Sequence, residues 1–80
     1  MIELRFHQEL YDGFAIDEAT KTYSKYALTD FQRENGNFVL KVTASKRAIE
    51  EGIDERTIAL ELANYALGLT IERVRGSMMR

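Results

Sequence analysis

The chain has 80 residues, 13 acidic against 11 basic side chains for a net charge of −2, and neither cysteine nor proline. That length allows one domain, residues 1–80, whose core is small enough for stability by apolar burial to be marginal. The charge offers no attraction to nucleic acid or anionic lipid, and the missing cysteines exclude disulfides, thiolate nucleophiles and cysteine-ligated zinc or iron–sulfur clusters.

The N-terminal residues lack the basic start and apolar core of a signal peptide, and no apolar run approaches the roughly 20 residues of a membrane span. The sequence therefore reads as a cytoplasmic protein with no membrane partner. Residues 2–7, IELRFH, alternate: Ile2, Leu4 and Phe6 face one way and Glu3, Arg5 and His7 the other, as in a half-buried strand. Ile16, Ala19, Tyr23, Tyr26 and Ala27 then recur at helical spacing, which predicts a helix over 13–26 with Asp12 as N-cap and Asp17 and Glu18 near the positive end of its dipole.

The stretch LTDFQRENGNFVLKVTA carries the strongest local signal. Asn35-Gly36 suits the positive φ angles of a type I′ turn, and strand-forming residues flank it. A two-residue loop sets Glu34 opposite Asn37 and so fixes the register: Arg33 faces Phe38, Phe31 faces Leu40 and Thr29 faces Val42 on one face, while Gln32 with Val39 and Asp30 with Lys41 share the other, more polar one. Residues 45–53 read as a charged connector with a helical turn ending at Gly52. Asp54 then caps a last helix over 55–75, with Ile53 placed to staple onto Ile58 and Gly76 as its stop. The fold class is α+β, in the order β-α-β-β-α, with two helices on one face of a three-stranded sheet. Either edge or middle position suits the first strand.

The last helix is apolar around most of its circumference. Stepping about 100° per residue, Ile58, Leu62, Tyr65 and Leu69 cluster, Ala59, Ala63, Ala66 and Thr70 form a small-residue strip beside them, and Leu60, Leu67, Ile71, Val74 and Met78 fall on nearly the opposite side. Two readings stay open. Both large stripes could reach down onto the sheet and first helix, or Leu60, Leu67, Ile71 and Val74 could form an interface with a second subunit or another protein.

Chemistry is sparse. His7 is the single histidine and belongs to the polar face of its strand; Ser24, Ser45 and Ser77 have no plausible base nearby in sequence. No His/Asp/Glu cluster has ligand spacing, and the five glycines are isolated rather than gathered in a phosphate loop. The expectation is no enzyme, no metal and no cofactor. Lys46, Arg47, Arg73, Arg75 and Arg80 are interspersed with Glu50, Glu51, Glu55 and Glu72, a mixed solvated surface rather than a nucleic-acid patch. The alternative to a protein- or peptide-binding module that self-associates as a homodimer is a small dimeric DNA-binding regulator, which the charge balance disfavours.

The opening strand, LYDGFAIDEATKTYSKYA, the hairpin and ELANYALGL together resemble the small D component of His-Xaa-Ser repeat systems, bacterial operons with two radical SAM proteins and a repeat-bearing peptide. Tyr11, Ala15, Ile16, Ala19 and Tyr23 are similar to that family's first-helix pattern. Leu62, Tyr65 and Leu67 match its Leu-Leu-Asn-Asp-Tyr-x-Leu-Arg-Glu signature, with Asn64 in place of Asp and Gly68 and Leu69 in place of Arg-Glu. The resemblance implies an accessory role in maturing a ribosomally made peptide, by binding the peptide or the radical enzyme.

Overall fold

In the computed structural model the described residues are 1–78, with side chains through Gly76, so the side chain of Met78 and all of Arg80 lie outside them. The elements are β1 (Ile2–His7), α1 (Gly13–Thr22), β2 (Ala27–Glu34), β3 (Asn37–Ala44), α2 (Lys46–Glu50) and α3 (Glu55–Met78). Asn35 and Gly36 take φ angles of 45° and 83°, and the hairpin register is the expected one, from Glu34 opposite Asn37 to Ala27 opposite Ala44.

The sheet order is β1-β3-β2, with β3 antiparallel to both neighbours. Its central place follows from its composition. Phe38, Val39, Leu40 and Val42 are all buried, whereas β2 buries only Ala27 and turns Thr29, Phe31 and Arg33 toward a thinly covered region. Phe6, Phe38, Leu40 and Val42 form the sheet side of the core, against Ile16 and Ala19 of α1 and Ile58, Ala59, Leu62 and Ala66 of α3. Val39 points to the opposite face yet is 1% exposed. It sits between Arg5 and Gln32 by register, residues with stems long enough to shield it.

α1 ends at Thr22 rather than Tyr26. The Tyr23 carbonyl accepts hydrogen bonds from the N–H groups of both Tyr26 and Ala27, and the Tyr26 carbonyl accepts from Ser45 N–H at 2.9 Å, which draws the chain out of the helix and into β2. With the helix starting at Gly13, Asp17 and Glu18 fall beyond its first turn. Gly76 does not stop α3: its φ is not positive and the helix continues to Met78. The expected turn near Gly52 is present as α2. Ser45 caps it, its hydroxyl accepting from Ala48 N–H and donating to the Lys25 carbonyl. Gly52, at φ 71°, carries the chain out of it.

Asp12 joins the two long helices. Its side chain accepts from Phe14 N–H at 3.0 Å as the N-cap of α1, its N–H donates to Thr70 Oγ1 at 3.3 Å, and its other carboxylate oxygen pairs with Arg73. At the opposite end of α3, Glu55 accepts from the Met1 amino group at 2.7 Å and from Ala44 N–H at 2.9 Å, and these two contacts hold its carboxyl below the ordinary glutamate range.

Two consequences can be measured. Asp12→Ala removes the cap and the link to α3 together, and denaturant unfolding should show a loss of about 1–2 kcal/mol. For Glu55, the folded-state pKa is depressed, so its contribution is complete above the unfolded value of about 4.3 and fades as pH falls through the folded one. Glu55→Gln should therefore be less stable than the parent chain at neutral pH, with the gap closing progressively in acid below that value; a gap that is constant with pH would refute this role.

Candidate functional site

α3 meets β1, β3 and α1 along a strip dominated by small side chains. Ala59, Ala66 and Thr70 are buried with Ile58 and Leu62, and Ala63 is half-buried. Thr70 is accommodated because its hydroxyl donates to the Ala66 carbonyl at 2.8 Å while accepting from Asp12 N–H. The buried direction is thus rotated toward the alanine strip. Of the expected core stripe, Ile58 and Leu62 are buried, Leu69 is half-buried and Tyr65 is 39% exposed, its ring set edge-on to Tyr23 at 5.9 Å. Burial, with Glu61 and Tyr65 nearby, raises the Tyr23 phenol above its ordinary pKa. The remaining tyrosines behave as rim residues, Tyr11 standing edge-on to Phe6 at 4.8 Å.

This placement leaves the other stripe uncovered. Leu60 is 58% exposed, Leu67 41%, Ile71 43% and Val74 52%, and at about 100° per residue they share one flank of the helix. That flank is the one turned away from α1, because Tyr65 and Arg73 face α1 from roughly the opposite side. The structure therefore brings all four residues together, in an exposed row that, among the described residues, no other element covers. Gly68 is exposed in the helix, with open space where a Cβ would project.

A second feature was not expected. Asp12, Gly13, Phe14, Asp17, Phe31, Arg33 and Phe38 line a shallow groove of about 340 Å³ between the start of α1 and the far end of β2. Phe14 is 69% exposed beneath the Arg73 guanidinium, 5.2 Å from its ring centre, and Arg33 lies 5.5 Å over the Phe38 ring. One sequence signal was there to be read: Phe14 falls off the Ile16–Ala19–Tyr23 face, an aromatic on the polar side of its helix.

His7 is exposed, as expected, and its Nδ1 accepts from Glu9 N–H at 3.3 Å. Among the described residues no group of three or more His, Cys, Asp or Glu side chains could hold a metal ion, and no helix is long and apolar enough to cross a membrane. Among the described residues, the basic side chains near the two ends of α3 lie apart. Arg47 is paired with Glu51 and Arg73 with Asp12, and α3 separates the two regions by about 27 Å of helix between Glu55 and Arg73. Comparison of the chain with known protein families, with characterised proteins and with solved structures finds no match.

The two stripes of α3 should respond differently to truncation. Leu62→Ala, at a fully buried position, is expected to cost about 2–5 kcal/mol in unfolding free energy. Leu67→Ala under dilute conditions should stay within about 1 kcal/mol of the parent, because a large part of its side chain remains in water when one chain folds alone.

Proposed function

We propose that this protein is a small, non-enzymatic binding module that associates, with itself or with a protein or peptide partner, through Leu60, Leu67, Ile71 and Val74. The observation that carries the reading is the row of four large aliphatic side chains left in water along one flank of α3. Scattered single leucines are normal on a surface, but aligned ones constitute a patch of the kind that marks an interaction site. The helix also presents this row rigidly, since its other side is fixed by the buried alanine strip and by the Asp12–Thr70 and Asp12–Arg73 contacts. The likeness to the D component of His-Xaa-Ser systems supports an accessory role in peptide maturation, with the modified peptide or the radical enzyme as the docked partner.

The test is substitution on the exposed row. Leu67→Glu and Ile71→Glu should retain the parent's circular dichroism and a melting temperature within a few degrees, while losing self-association in sedimentation. Unfolding of both variants, with a parent chain that is monomeric at high concentration, would assign these residues to stability and overturn the interface.

A further inference from the structure

Resting on the reading of α3 as an association surface, we infer that the partner is a second copy of the chain, joined through the free edge of β1 as well as α3, so that two three-stranded sheets become one of six strands. The sheet order leaves β1 at an edge. Ile2 and Leu4 belong to the core-facing side yet are only partly buried, as expected where the neighbouring position is empty. α3 contacts β1 and β3, whereas the groove places α1 on the β2 side, so the exposed flank of α3 overhangs this same edge.

The sequence of β1 is self-complementary in one register. An antiparallel pairing across a two-fold axis must keep like faces together, so the axis passes through a residue. An axis at Glu3 or at Arg5 sets two like charges directly against each other. An axis at Leu4 sets Ile2 opposite Phe6, Leu4 opposite Leu4, and Glu3 opposite Arg5 of the second copy. Within the chain Lys41 already lies between Glu3 and Asp30 by register, so the extended row reads Asp30, Lys41, Glu3, Arg5 with alternating sign across four strands. Arg5 and Glu3 of one chain are already in contact at 2.9 Å on the exposed face, so neither charge has to leave a buried position to change partner.

The same axis organises the helices. Glu55 lies beside Met1 and Thr70 beside Asp12, so α3 runs along β1 in the same direction. Leu4 is about 10 Å along the strand from Met1, which is level with roughly the seventh residue after Glu55, near Leu62 and Ala63. An axis there places Leu60 of one copy against Leu67 of the other, leaving Ala63 and Asn64 at the crossing. Surface area agrees in scale. The chain exposes 5575 Å², against about 4,900 Å² for an ordinary monomer of its mass, and the excess is comparable to the roughly 800 Å² each partner contributes to a standard interface.

Charge exchange tests the register without disturbing the core. Glu3→Arg and Arg5→Glu each turn two symmetric attractions into repulsions and should weaken dimerisation by about tenfold in sedimentation equilibrium, whereas the double variant restores opposite pairs and should regain the parent affinity. Recovery in the double variant, with Leu67→Glu still dissociating the dimer, is the expected result. A dimer indifferent to the single exchanges but broken by Leu67→Glu would overturn the β1 pairing and leave the α3 reading standing. A chain monomeric at all concentrations would overturn the second copy as partner.

Discussion

The fold depends on the close seat of α3. Three strands offer little area, and two helices must share one face of them, so the helix axes have to lie near the sheet and near each other. Alanine at 59 and 66, both buried, permits that approach, and Thr70 completes the strip by satisfying its hydroxyl locally. With the small residues turned inward, the large side chains of the helix are displaced to its flanks. On the α1 flank Leu62 and Ile58 find a core, and Tyr65 finds Tyr23. On the other flank the sheet simply ends. The exposed aliphatic row is thus a direct consequence of how the buried strip is placed, and it could not be buried by this chain without a fourth strand or a third long helix.

Much of this was legible because it was locally encoded. Asn35-Gly36 fixed a turn type, the turn type fixed a register, and alternation fixed which side of the hairpin met the helices. The N-cap at Asp12 and the strand at residues 2–7 were equally local. The order of the strands was not, since it depends on which edge of the hairpin the first strand selects. A clue lay in the unbroken run Phe38-Val39-Leu40, buried on both faces, which suits a central strand better than β2, where charged and polar residues lie on both sides. The ends of α1 and α3 escaped local rules for separate reasons. Tyr26 is drawn from the helical path by its bond to Ser45, nineteen residues on, and Gly76 meets no neighbour that would require a left-handed turn.

Periodicity put Leu60, Leu67, Ile71 and Val74 on one flank of the helix, and all four are exposed there. A helical projection alone does not say which sector faces inward when alanine and leucine compete for it. Packing resolved the competition in favour of the smaller residues, and so shifted Tyr65 from core to rim. The groove at Phe14 and Phe31 was hidden because its walls come from α1, β2 and β3, whose relative placement depends on the crossover that takes the chain from β1 over β3 to β2.

Edge strands and apolar helix flanks are separate liabilities in most small α+β folds, each managed by charge or by cover. Here they coincide along one border. β1 has no proline, no bulge in its pairing with β3, and charges that oppose each other within the strand rather than repelling a like strand. β2, at the other edge, lies on the side of α1 rather than beside the exposed row of α3. The β1 border is therefore the one where a free strand edge and the exposed leucines of α3 meet. For a domain this small, covering that border would add apolar burial where the single chain is shortest of it, making association and stability two readings of one contact.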